Sequence, residues 1–158
     1  MTEPRASTGR RILLVDDDDN LRRLVEKVLE PYGYIVTGVA TGKEALEALV
    51  ESKPDLILLD YVLPDMDGLL LLELVRARSS VNQTPIICLT GMTDIPTKTK
   101  ALETGAIDYV TKPFDVRELA ARVGTHIRAK DQGETEAREK ERLASVAKRA
   151  QQEAEQRC

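Results

Sequence analysis

The sequence predicts an α/β domain with a parallel sheet covered by helices on both faces. Five short apolar runs recur at Ile12–Val15, Tyr34–Val39, Leu56–Leu59, Ile86–Leu89 and Ile107–Val110. Longer segments with helical spacing separate them, and Gly, Pro and Asp mark the joins. Strand-length apolar runs alternating with helical patterns are the signature of successive βαβ units.

The elements follow in order. Leu21, Leu24, Val25 and Val28 fall on one face of a first helix, which Pro31-Tyr32-Gly33 ends. Thr41-Gly42 opens a second helix with Ala45, Leu46 and Leu49 on its apolar face, and Lys53-Pro54 closes it. Leu56 to Leu59 then run straight into Asp60, as expected of a strand buried on both faces. Leu69 to Val75 is apolar almost all round, so the third helix is expected to be well buried or to carry a contact surface. Ala101 and Leu102 anchor a weaker fourth helix that Glu103-Thr104-Gly105 closes, and Leu119, Val123 and Ile127 a fifth. After Arg128 the composition shifts. Asp131-Gln132-Gly133 reads as a break, followed by Ala, Glu, Arg, Lys and Gln without an aromatic residue. Leu143, Ala147, Ala150 and Ala154 make only a thin seam there, consistent with a solvated helix or linker or with a short dimeric coiled coil. The expected organisation is a flexible terminus over 1–9, one domain over 10–130, and a charged helical stem over 131–158 leading to a further module.

Composition narrows the function. Hydrophobic residues make up 42% and charged residues 32% of 158, enough for a core beneath a solvated surface. The net charge of −4 gives no pull toward nucleic acid or anionic membrane. No secretory signal or membrane-spanning run is visible, so the expectation is a soluble cytoplasmic protein. Cys88 and Cys158 do not make a disulfide framework, and one histidine leaves no room for a His-rich metal site.

Parallel sheets gather functional groups at the carboxyl ends of their strands. The first predicted strand ends in Asp16-Asp17-Asp18-Asp19, the third in Asp60, the fourth in Thr90-Gly91 and the fifth in Thr111-Lys112-Pro113. One edge therefore collects carboxylates, a hydroxyl and an ammonium. Crowded carboxylates repel unless a cation sits among them, and an all-oxygen set favours a hard ion such as Mg²⁺. The Asp run is no EF-hand, having no Gly at its sixth position and no Glu at its twelfth.

Val15-Asp16-Asp17, Leu58-Leu59-Asp60, Leu63-Pro64-Asp65-Met66-Asp67-Gly68, Leu89-Thr90-Gly91 and Tyr109-Val110-Thr111-Lys112-Pro113-Phe114, in that order, resemble the receiver domain of two-component response regulators, chemotaxis-regulator-like in kind. The resemblance covers about residues 10–129. It implies a flavodoxin-like fold with strand order 2-1-3-4-5. It also implies that Asp60 is a nucleophile accepting a phosphoryl group from a phosphohistidine, on a sensor histidine kinase or a phosphotransfer protein. Mg²⁺ would be held by Asp17 directly, Asp16 largely through water, Asp60, and the Val62 carbonyl. Lys112 would pair with a phosphoryl oxygen, a cis Lys112–Pro113 bond aiming it inward. Thr90 would donate to the phosphoryl group and let Tyr109 turn, altering the surface of the fourth helix, fifth strand and fifth helix. Expected partners are an output module or effector and a second copy meeting through that surface or the C-terminal helix, with no direct nucleic-acid or membrane contact. Asn20 to Arg23 on the first helix is the expected docking face for the donor.

Several residues read more simply. Asp18 and Asp19 are helix-start residues, Asp65 and Asp67 turn and cap residues, His126 a surface residue, Cys88 core and Met92 loop packing. Val62 and Met92 occupy two positions that often tune phosphate lifetime in such domains, and neither side chain can orient a hydrolytic water. A long-lived phosphoryl group follows. Two rival readings stay open. One is a receiver-like interaction module that never turns over phosphate. The other is a haloacid-dehalogenase-type phosphatase, which Asp16 and Asp18 fit superficially while leaving Asp60 idle.

Overall fold

The structure, a computed structural model, describes residues 9–78, 83–91 and 95–156. Most of the predicted N-terminal segment, Met92 and Cys158 lie outside them. Five strands, β1 (Arg11–Val15), β2 (Ile35–Val39), β3 (Leu56–Asp60), β4 (Ile86–Thr90) and β5 (Asp108–Thr111), form one parallel sheet in the order β2-β1-β3-β4-β5. The helices between and after them are α1 (Asp19–Leu29), α2 (Gly42–Ser52), α3 (Gly68–Arg76), α4 (Ile95–Thr104) and α5 (Val116–Gln156). This is the doubly wound, flavodoxin-like arrangement.

Alternation along the strands builds two cores. Leu13, Val15, Ile57, Leu59, Ile86 and Cys88 pack with Ala45 and Leu49 of α2, Leu71, Leu72 and Val75 of α3, and Ala101 of α4. Ile12, Leu14, Leu56, Leu58, Ile87 and Leu89 pack on the other face, with Val25 and Leu29 of α1 and Leu119, Val123 and Ile127 of α5. β3 and β4 are buried at every residue, the pattern of strands covered on both sides.

Local signals explain the joins. Asp18 caps α1 by accepting from the amides of Asn20 and Leu21. A 3-10 turn over Glu30–Tyr32 follows α1, and Gly33, at φ 87°, reverses the chain into β2. Thr41 caps α2 and Asp67 caps α3. Gly68 is required by close approach, because a Cβ there would lie 2.6 Å from the Tyr61 Cα and 2.7 Å from the Asp60 carbonyl oxygen.

α3, apolar except for Glu73 and Arg76, buries Leu69, Leu71, Leu72 and Val75 and leaves Leu70 and Leu74 exposed, within the expected alternatives of burial or an open apolar surface. Two expectations are corrected. Leu24 is 46% exposed, and Leu29 takes its place in the core with Val25, while Leu21 and Val28 pack partly buried against it; the buried stripe of α1 is rotated away from Leu24 toward Leu29. There is no break at Asp131-Gln132-Gly133, where the backbone stays helical within α5. A helical glycine costs only about 1 kcal/mol, which flanking Ala, Glu, Lys and Arg can offset. Contacts divide the chain into two units, Met1–Ile127 and Arg128–Cys158. The second is helical through Gln156, with Leu143 and Val146 its exposed large apolar residues among those described. No helix among the described residues is long and apolar enough to cross a membrane.

Candidate functional site

Strand register assembles the site. Val15 pairs with Leu59, so the next residues, Asp16 and Asp60, emerge side by side where β1 and β3 end. Asp60 is in register with Leu89, and Thr90 with Thr111, which brings Thr90 and Lys112 to the same edge. Chain connections diverge between β1 and β3, leaving the crevice in which open α/β sheets bind ligands.

Asp16 is fully buried and Asp60 is 6% exposed, whereas Asp17 is exposed. One carboxylate oxygen from each of the three lies within 4.8 Å of the others. The Lys112 ammonium sits 2.8 Å from Asp16 Oδ2 and 3.2 Å from Asp60 Oδ2. Burial pushes the Asp60 carboxyl up, and the Asp16 charge adds to this; the Val62 amide and Lys112 oppose it, but the result stays above the ordinary carboxylate value. Burial also pulls the Lys112 ammonium down, yet its hydrogen bond to Asp16 and the charges of Asp60 and Asp16 prevail and raise it. Lys112 is therefore a fixed cation in a cluster with an excess of negative charge. The Lys112–Pro113 peptide is cis.

The remaining predicted residues surround this cluster. Thr90 is buried at the end of β4, and its carbonyl accepts from the Lys112 amide at 2.7 Å. Tyr109 is half-buried on β5, packed against the α2–α3 side of the core. The Val62 amide donates to Asp60 Oδ1 at 3.2 Å, while its side chain is exposed. Among the described residues other than its chain neighbours, nothing lies within 4 Å of where a Gly91 Cβ would be.

Some supporting residues escape a sequence reading. Arg22 donates to the Asp16 carbonyl at 2.6 Å and pairs with Asp19, holding the loop between β1 and α1. The pairing makes Asp19 an anchor for Arg22 as well as a helix-start residue. Asp65 caps α2, whose first residues lie more than twenty positions earlier in the chain. The amides of Gly42 and Lys43 hold its carboxyl below the ordinary value. His126 is not a free surface group. It is half-buried, with Nε2 3.1 Å from Asp108 Oδ2, because the β5 residue opposite it is an acid that only the fold reveals. Arg and Asp spacing on one helix offers a weak signal for the first pair; the others have none.

A family model described as the response regulator receiver domain matches residues 12–124. The chain belongs to this family. Its receiver domain is 44% identical over 117 residues to an uncharacterized transcriptional regulatory protein, YkoG, of Bacillus subtilis, covering 74% of this chain and 50% of that one. It is 43% identical over 122 residues to the DNA-binding response regulator MtrA of Mycobacterium tuberculosis, covering 77% and 52%. The chain thus spans about half the length of these relatives. Among solved structures, a putative response regulator from Chloroflexus aurantiacus superposes with a TM-score of 0.71 at 39% identity, over 75% of this chain and 98% of that one. The BeF3-activated receiver domain of Klebsiella pneumoniae RstA gives 0.70 at 34% identity, over 75% and 99%.

The receiver's oxygen donors fit a hard divalent cation. Three carboxylates facing one ammonium leave net negative charge, and no nitrogen or sulfur ligand is among them.

Proposed function

We propose that this receiver is the phosphoacceptor of a two-component relay and that Asp60 carries the phosphoryl group. A carboxylate oxygen of Asp60 attacks phosphorus in a phosphohistidine of a sensor histidine kinase or phosphotransfer protein. The P–O bond forms as the P–N bond breaks, and the departing imidazole takes up a proton. The observation that carries this reading is the adjacency of Asp60, Asp16 and Lys112 at the strand ends. Asp16, Asp17, Asp60 and the Val62 carbonyl are the groups that would hold Mg²⁺, whose chemistry when bound is to neutralise the carboxylates and the incoming phosphoryl oxygens. Lys112 takes one phosphoryl oxygen, exchanging its carboxylate partners for it. The Thr90 hydroxyl donates to another.

Thr90 and Tyr109 then act as the switch. Movement of Thr90 toward the phosphoryl group lets Tyr109 reorient and changes the surface of α4, β5 and α5. That surface, or the C-terminal part of α5, meets a second copy, an output module or an effector. The donor docks on the exposed face of α1 around Asn20 and Arg23. Relatives named as DNA-binding regulators extend well beyond the matched half, and the net charge of −4 supports a segment that does not itself touch nucleic acid. These roles belong to a cytoplasmic signalling domain whose only chemistry is its own phosphorylation and dephosphorylation.

Acetyl phosphate with Mg²⁺, followed by intact mass measurement, tests the reading. The expected result is a gain of about 80 Da, one phosphoryl group, lost in Asp60→Asn. No adduct on the wild type would favour a phosphate-independent interaction module. Repeated turnover of a phosphoester would favour a hydrolase.

A further inference from the structure

The loop that follows Asp60 is tied to a helix that comes earlier in the chain. Asp65 Oδ1 accepts from the Gly42 amide at 2.9 Å, and Oδ2 from the Lys43 amide at 3.0 Å. These are the first two amides of α2, donors that a helix cannot satisfy internally. Thr41 Oγ1 takes the Glu44 amide at 3.1 Å, so this helix start has a local cap and a distant one. Met66 covers the same place: a Cβ on Gly42 would lie 2.5 Å from the Met66 sulfur.

The loop is also fixed at its other end. Val62 donates to Asp60 Oδ1 and forms a bridge with Asp67, and the Gly68 amide donates to the Tyr61 carbonyl at 2.7 Å. Residues 61–67 are therefore held between the end of β3 and the start of α2. Val62 sits inside that span, two residues past the strand that delivers Asp60 and three before the anchor.

We propose that Asp65 is a positioning residue of the phosphoacceptor site: its clasp on the first amides of α2 sets the placement of the Val62 carbonyl, and through it the affinity for Mg²⁺. This rests on the reading of the site given above. Asp65 itself touches neither the metal nor the phosphoryl group. Its two hydrogen bonds are charge-assisted, which gives the anchor strength, and they are bidentate, which gives it direction. Groups that orient a metal ligand from outside the ligand set control affinity strongly.

The test compares Asp65→Ala, Asp65→Asn and Thr41→Ala with the wild type. Mg²⁺ affinity is measured by calorimetry without any phosphodonor, and hydrogen exchange across 61–67 is measured in metal-free protein. Asp65→Ala is expected to weaken Mg²⁺ binding about tenfold and to speed exchange in the loop. Asp65→Asn, which keeps one acceptor oxygen, falls between it and the wild type. Thr41→Ala removes the other cap of the same helix, lowers Tm comparably, and leaves both loop readouts at the wild-type value. Unchanged Mg²⁺ affinity in Asp65→Ala, or an equal loss in Thr41→Ala, overturns the positioning role. A wild type that takes no phosphoryl group from acetyl phosphate overturns the phosphoacceptor reading and this proposal with it; phosphorylation with an unaltered Asp65→Ala affinity overturns the proposal alone.

Discussion

β5 carries a charged cluster at each end, and the two are opposite in kind. At its amino end Asp108 accepts from Arg122 Nη1 at 3.0 and 2.9 Å, and its Oδ2 lies 3.1 Å from His126 Nε2. At its carboxyl end Lys112 faces two carboxylates, Asp16 and Asp60, with Asp17 close by. Burial pushes both acids up. At Asp108 the His126 and Arg122 hydrogen bonds reverse that and leave the carboxyl below its ordinary value, whereas at Asp60 it stays above. One cluster is satisfied as folded and the other holds repulsion that a cation can relieve. Electrostatics at the two ends of a single strand thus differ in sign.

Removing the lone ammonium should have the largest effect. Lys112→Met leaves Asp16 fully buried beside Asp60 without the ammonium that pairs with both. Stability in EDTA should fall by about 2–3 kcal/mol by urea unfolding, and saturating Mg²⁺ should restore much of it. A loss below about 0.5 kcal/mol, or no response to Mg²⁺, would break the contrast.

Asp108→Asn tests the balanced end, with an expected loss of about 1 kcal/mol at pH 7, since Arg122 is partly exposed and the pair is screened. Because the folded Asp108 value is depressed, its contribution is full above the ordinary value of 3.8 and disappears as pH falls through the depressed one. Wild type and variant should converge only in that acid range, which denaturant titrations at several pH values can follow. Equal stability at pH 7 would show the cluster to be decorative.

Legibility followed the same division. Asp16, Asp60, Thr90 and Lys112 can be picked out of the sequence because each sits at or just after the end of an apolar run, and a parallel sheet aligns such ends. The strands are readable for the same reason, whereas their order followed only from the family resemblance. Asp108 precedes the part of its run that is buried, and its partners lie fourteen and eighteen residues later on a helix face whose rotation only packing sets. Arg76, which donates to the carbonyls of Thr84 and Gly105, is equally silent in the sequence. Asp65 reads as a turn residue, but that its turn lands on α2 depends on the sheet having already folded. Local pattern reveals what a strand delivers, and long-range contact decides what holds it there.

Asp60→Asn should move stability the other way, by a smaller amount. A raised folded value means that ionising Asp60 opposes folding, a cost present above that value and relieved as pH falls through it toward 3.8. In EDTA at pH 7 the variant should gain about 1 kcal/mol, and the gain should shrink on acidification. Thermal unfolding at pH 7 and pH 4.5 reads both; a destabilised Asp60→Asn at pH 7 would mean that Lys112 already neutralises the cluster.

Val62 offers the smallest stability effect and separates energetics from kinetics at the same site. Its side chain is 60% exposed, so Val62→Asn should change folding stability by less than about 0.5 kcal/mol. Yet it stands two residues past Asp60, and an apolar side chain there cannot hold a water in line with the phosphorus. The wild-type phosphoryl group should persist for minutes or longer in purified protein with Mg²⁺. An amide at position 62 can hydrogen-bond such a water, and the lifetime should shorten by about tenfold. Loss of radiolabelled phosphate over time checks both. Wild-type decay within seconds, or an unchanged rate in Val62→Asn, would show that the water is positioned from elsewhere in the site.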